Sequence, residues 1–273
     1  MMKKPLIGIA ALGAVLSFSA CQQSGSNQNG QSEDSITEAP AAPVALSPVT
    51  GSPEFPNATL TVDKMTAEKK GDSATVSFSF GVKNYELTQQ TGDAAGKQCN
   101  NSAQGQHIHF IMDNKPYVAL YKPEYTLTLP LNSDHYLMTF LSRSYHESLK
   151  NPEAAKLTHF KIDGNGKIQK LDVPSSPMVF YSRPKGDYIG KDTKNVLLDF
   201  YVYGGKLGDS LQVKANVGDT TFTLSQWQPY FIQNAAMGDL NVKLQLVDGS
   251  GNALSGPNTE VDRTAHLAAD EPM

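Results

Sequence analysis

SATVSFSFGV at residues 73–82 and NVLLDFYVYG at residues 195–204 decide the fold. In the first stretch Val76, Phe78, Phe80 and Val82 alternate with Thr75, Ser77, Ser79 and Gly81. Successive side chains of a β-strand point to opposite faces, so a period of two marks a strand with one buried face. Val196, Leu198, Phe200 and Val202 repeat the pattern. Outward from these anchors the chain reads as two copies. HIHFIMD (107–113) lies over LQVKANVGD (211–219), and DHYLMTFLS (134–142) over DLNVKLQLV (239–247). Ile108 and Leu137 stand 29 positions apart, as do Val213 and Val242. The gap from Val76 to Ile108 is 15 residues longer than the gap from Val196 to Val213. The first copy therefore carries an insertion within TQQTGDAAGKQCNNSAQGQ (88–106), and Cys99 lies inside it.

Turn chemistry agrees with this reading. DGNGK (163–167) and DGSGN (248–252) are hairpin connections. Their oxygen-bearing side chains resemble a calcium loop, but the distal bidentate Glu of an EF-hand is missing. HESLKNPEAAK (146–156) predicts a turn or two of helix. Many short strands with regular turns point to sandwiches. The expected fold class is all-β, with two tandem immunoglobulin-like β-sandwich domains at 56–165 and 176–267.

The N-terminus predicts export. Lys3 and Lys4 precede a mostly apolar run over residues 6–18, then Ser19, Ala20 and Cys21. That is the layout of a secretory signal, too short in its apolar part to span a bilayer. A signal ending at cysteine resembles that of a bacterial lipoprotein, which makes Cys21 the lipidation site and 1–20 the signal. Phe18 stands where Leu is usual. Gln22 stands where Asp would favour inner-membrane retention, so the expected location is the outer membrane, held by the lipid anchor. Residues 21–55 are rich in Ser, Gln, Asn, Gly and Pro. Such a segment buries too little surface to offset its ordering entropy, and it is expected to be a disordered tether.

Charge excludes one class of partner. The chain has 23 basic and 27 acidic side chains and no long basic block, so nucleic acid is not an expected ligand. With Cys21 lipidated, Cys99 is the remaining thiol and no intrachain disulfide is expected.

The overlay also assigns faces. In the second copy Val213, Ala215 and Val217 form the core face, and Gln212, Lys214 and Asn216 face outward. Transferred to the first copy, Ile108, Phe110 and Met112 point inward while His107, His109 and Ile111 point outward. On the partner strand the outward row Asn241, Lys243 and Gln245 becomes Tyr136, Met138 and Phe140. An apolar exterior of this kind meets something. Either the second domain or the insertion covers it, or it contacts a peptide or protein ligand, and Tyr136 and Phe140 are candidate contacts on the second alternative.

Two kinds of site follow. His107 and His109 are two apart on a strand, so their imidazoles share a face and suit one copper or zinc ion, with Cys99 as a further candidate ligand. His135 falls on the core side, away from the pair. Separately, SRSYHES (142–148) and YSRPKGDY (181–188) place Arg143, His146, Arg183 and Lys185 at strand ends, where Arg grips phosphate or carboxylate and Lys adds a point charge. Catalysis is not expected. Gly208-Asp209-Ser210-Leu211 spells a serine-esterase block, yet Ser210 opens a strand, and Asp262 and His266 have the wrong spacing to complete it. No phosphate-cradling glycine loop, dinucleotide fingerprint or pair of catalytic carboxylates stands out.

GQHIHFIMDNKPY, FLSRSYHESLKN, PMVFYSRPKGDYIGK and QWQPYFI together resemble a family of Bacteroidota lipoproteins often labelled phosphopeptide-binding protein, over about residues 52–264. The resemblance implies an anionic peptide ligand, with Arg143, His146, Arg183 and Lys185 as its contacts. The expected function is a non-catalytic binding or accessory module for such ligands. Copper or zinc binding through His107 and His109 is the alternative.

Overall fold

A computed structural model describes residues 42–269. Among the described residues, seventeen strands carry the fold. The first half contains β1 (Ala45–Pro48), β2 (Thr59–Lys70), β3 (Ser73–Lys83), β4 (His107–Met112), β5 (Val118–Leu120), β6 (Glu124–Pro130), β7 (Ser133–Ser142), β8 (Ala155–Ile162) and β9 (Ile168–Leu171). The second half contains β10 (Met178–Arg183), β11 (Gly186–Ile189), β12 (Val196–Tyr203), β13 (Leu211–Val217), β14 (Thr220–Leu224), β15 (Tyr230–Gln233), β16 (Gly238–Asp248) and β17 (Glu260–Ala268).

The strands form four sheets that pair into two sandwiches. In the first, the sheet β2-β3-β6 faces the sheet β5-β4-β7-β8-β9. Val76, Phe78 and Phe80 from one sheet meet Ile108, Phe110, Leu137, Leu141 and Phe160 from the other. In the second, β1-β15-β12-β10 faces β11-β17-β16-β13-β14, around Val196, Leu198, Phe200, Val213, Ala215, Val242 and Leu244. The protein is all-β, and the two copies are tandem immunoglobulin-like sandwiches. Their registers match: Ile108 pairs with Leu141, and Val213 with Leu246 at the same offset. The inward rows expected for β4 and β7 line the first core.

A third apolar cluster joins the two sandwiches. Ile111, Met138, Phe140 and Leu157 from the five-stranded sheet of the first pack on Met178, Phe180 and Tyr201 of the second. The row read as outward is thus outside its own sandwich and inside the protein. Met138 and Phe140 are fully buried, and the Phe140 ring stacks on Tyr201 at 5.4 Å. Roughly 1.5–3 kcal/mol per large apolar side chain removed from water favours this closure. The second sandwich is what covers the patch.

Two boundaries differ from expectation. Ala45–Pro48, inside the stretch expected to be a tether, is β1, paired antiparallel with β15. Leu46 packs on the second core beside Val44, and that burial outweighs the polar composition around it. Residues 21–41, with Cys21 among them, and the 1–20 signal lie outside the described residues. The first sandwich also runs to Leu171, because β9 pairs with β8 beyond the DGNGK turn. The helical turn expected within 146–156 is a single 3-10 turn, Pro152–Ala154, capped by the Asn151 side chain.

Candidate metal centre

β4 supplies two imidazoles. Period-two alternation sends Ile108 and Phe110 into the first core and His107 and His109 to the opposite face, where both are fully buried. A third imidazole, His146, comes from the turn that follows β7. In this turn Arg143 N–H donates to Glu147 O at 2.9 Å and His146 N–H donates to Arg143 O at 2.9 Å. The second sandwich makes the same two bonds at the equivalent place, Asp248 N–H to Asn252 O and Gly251 N–H to Asp248 O. There the residue with positive φ is Gly251, at 83°; here it is His146, at 68°. A side chain in the left-handed region costs roughly 1–2 kcal/mol that glycine avoids. The first copy therefore bears strain at the position that delivers His146.

The insertion braces this turn. Thr91 and Ser144 exchange hydrogen bonds, Thr91 N–H donating to Ser144 Oγ at 3.2 Å and Ser144 N–H to Thr91 Oγ1 at 3.0 Å. Ser102 N–H donates to Ser144 O at 2.8 Å. Where the insertion rejoins β4, Gly105 has φ 84°, and a Cβ there would meet Thr88 O at 2.3 Å. Only glycine fits that close approach.

The three rings converge. His107 Nε2 is 2.9 Å from His109 Nε2 and 3.2 Å from His146 Nδ1. One nitrogen from each ring lies within 4.8 Å of the other two. Nitrogens bound tetrahedrally to one ion at 2.0–2.1 Å stand roughly 3.3 Å apart, so the spacing suits a shared metal. The outer nitrogens are held in the manner of ligand histidines. His107 Nδ1–H donates to Gly105 O at 2.8 Å, which leaves the Nε2 lone pair facing the cluster. His109 Nδ1 lies 3.0 Å from Ser182 Oγ on β10, so the second sandwich orients a ring of the first. Tyr117 stacks face to face on His109, with centroids 3.7 Å apart, and its hydroxyl oxygen lies 3.2 Å from His146 Nδ1.

Burial keeps the imidazoles neutral, the form that binds metal. Desolvation lowers the His107 pKa to about 4. His109 and His146 are driven well below the ordinary histidine value, first by desolvation and then by nearby positive groups that include Arg183 and Lys185. Arg183, 5% exposed, donates from Nη1 to Lys185 O and to the Tyr188 hydroxyl, both at 3.1 Å. Its Nε has no partner. Lys185 Nζ donates to Tyr117 O at 2.8 Å and lies 4.2 Å from the Tyr117 ring centre. Among the described residues, neither cation forms an ion pair with a carboxylate.

Several expected sites are redistributed. Cys99 does not join the histidines. It is buried beside a cleft of about 840 Å³ lined by Thr91, Lys191 and Asp192, where desolvation pushes its thiol up to about 12. The reason is the insertion's path: Asn100 bonds Asp192, and Asn195 bonds Lys97 O, which ties that part of the loop to the second sandwich. His146, read from sequence as an anion contact, is the third imidazole. Arg143 is neutralised by Glu147 at 2.8 Å and donates to Pro53 O, so the four basic groups do not share one anion site. Phe140 is sealed between the sandwiches and cannot contact a ligand. Tyr136 stacks on His159 at 4.2 Å. His135 bonds Asp113 and Ser133, apart from the cluster as expected. Asp262 accepts from Asn241, and His266 pairs with Asp239, so neither is held for Ser210. Extending the overlay past β7 places His146 on Gly251, and that offset is the sequence signal for the third imidazole.

Fold and site together define an all-β, two-sandwich protein with a buried three-histidine cluster. No family model and no curated protein matches the chain. Among solved structures it is similar to the fibronectin(III)-like modules of Clostridium thermocellum CbhA, at 13% identity over 77% of this chain and 95% of that one, with a TM-score of 0.27.

Proposed function

We propose that this protein is a non-catalytic metal-binding module, holding one copper or zinc ion through His107, His109 and His146. The observation that carries this reading is the convergence of three buried, neutral imidazole nitrogens, two of them with their outer nitrogens already engaged. Imidazole suits both metals. The sequence supports an exported, Cys21-anchored lipoprotein of the outer membrane as the setting, so the centre would serve metal handling outside the cytoplasm. The test is titration of the purified full chain with Cu and Zn. One equivalent is expected to bind with a Kd below about 10 µM, with His107→Ala and His146→Ala each weakening it more than about 100-fold. Cys99→Ser is expected to change nothing. Binding that needs Cys99 and survives loss of His146 would overturn the assignment.

A second reading, recognition of an anionic peptide, retains support at Arg183 and Lys185, which lack a carboxylate partner. Phosphopeptide binding that is lost on Lys185→Ala while His107→Ala retains it would favour that reading instead.

A further inference from the structure

We propose that the centre selects the monovalent cuprous ion over divalent zinc, and that Arg183 and Lys185 set this preference. The proposal deepens the metal reading above and depends on it. Three observations support it.

The ligand set is uncharged. Three imidazoles converge, and no carboxylate or thiolate belongs to the cluster. The nearby carboxylates are engaged elsewhere: Glu147 with Arg143 and Ser52, and Asp199 with Lys150 and Ser148. Among the described residues, no carboxylate or thiolate in the cluster offsets the charge of a bound ion.

Two uncompensated cations stand behind the site. Lys185 Nζ and the Arg183 guanidinium lie 4.2 and 5.4 Å from the centre of the Tyr117 ring. Tyr117 in turn lies 3.7 Å from His109. The Tyr117 ring thus touches both the cations and His109. Coulomb repulsion scales with the product of the charges, so each cation opposes a divalent ion twice as strongly as a monovalent one. The surroundings are buried, and solvent screens that repulsion little at Arg183.

The coordination number points the same way. Three histidines complete tetrahedral zinc only by adding a water as the fourth ligand, whereas this cluster offers three nitrogens on fully or nearly fully buried side chains, a set that suits an ion of lower coordination number. The adjacent oxygen is the Tyr117 hydroxyl, 3.2 Å from His146 Nδ1.

The experiment measures Cu(I) affinity anaerobically against a cuprous chelator and Zn(II) affinity against a chromophoric zinc chelator, using the full chain in detergent. The unmodified chain, Lys185→Met and Lys185→Arg are compared, with His107→Ala as the site control. Lys185 is half-exposed, so its loss is expected to strengthen Zn(II) binding relative to Cu(I) by roughly 3- to 10-fold, and Lys185→Arg to restore the original ratio. Zinc binding as tight as Cu(I) in the unmodified chain overturns the proposal. So does a Lys185→Met ratio equal to that of the unmodified chain. In either case metal binding that still requires His107 leaves the three-histidine centre standing. Loss of His107 without effect on either metal removes the centre itself, and the selectivity proposal with it.

Discussion

Strands β4 and β7 of the first sandwich and β13 and β16 of the second occupy the same places in the same topology, yet their outer faces have opposite characters. Gln212, Lys214 and Asn216 on β13 remain accessible, as do Asn241, Lys243 and Gln245 on β16. Of their counterparts, His107, His109, Ile111, Met138 and Phe140 are fully buried, and Tyr136 is half-buried. Among the described residues, the first copy alone packs that face on a sheet, through β10 and β12 of its sister. A duplicated unit can thus keep one sheet exterior wet and turn the other into an interface, provided the inward row is left alone. The buried exterior then becomes a place where polar groups need partners. Here they are histidines that partner one another, Ser182 and Tyr117.

This contrast predicts its own failures. The largest effect is expected from writing the second copy's residue into the first. His109→Lys would put an ammonium at a fully buried position with no carboxylate in the cluster, costing about 3–5 kcal/mol and abolishing metal binding; urea denaturation and titration measure the two. A fully stable His109→Lys variant would mean that the interface opens in solution. Next comes Phe140→Ala, which empties the contact with Tyr201 and is expected to cost about 3–5 kcal/mol. Its counterpart Gln245→Ala is expected to stay within about 0.5 kcal/mol. Equal effects would erase the distinction between the two faces.

Smaller effects probe how the second sandwich and the strained turn serve the site. Ser182→Ala, which removes the hydroxyl orienting His109, is expected to weaken metal binding about 10-fold with little change in stability. An unchanged affinity would detach the second sandwich from the centre. Finally, His146→Gly and His146→Ala both remove the ligand, but the glycine variant is expected to be the more stable by about 1 kcal/mol. Its backbone relaxes where alanine's cannot at φ 68°. If alanine is as stable as glycine, the turn is not strained.

Much of the framework was readable before any coordinates. The alternation in 73–82 and 195–204 identified β3 and β12, and the overlay of 107–113 on 211–219 gave the inward rows and the common register. β1 escaped because four residues within a Ser- and Pro-rich run carry too little pattern to show a period. The site was half readable. His107 and His109 share a face by strand geometry alone, but the third imidazole depends on where a turn points. Cys99, the nearer choice in sequence, was carried toward Asp192 by the insertion.

By itself the sequence determined which side chains share a face, because the pleat of a strand is local and repeats every two residues. Tertiary structure alone decided what each face meets. Contact between the sandwiches is set by the total apolar area they hide together, a sum over residues far apart in the chain that no local pattern encodes. That sum buried Phe140, moved His146 from the expected anion site to the three-histidine cluster, and set Arg183 and Lys185 beside it.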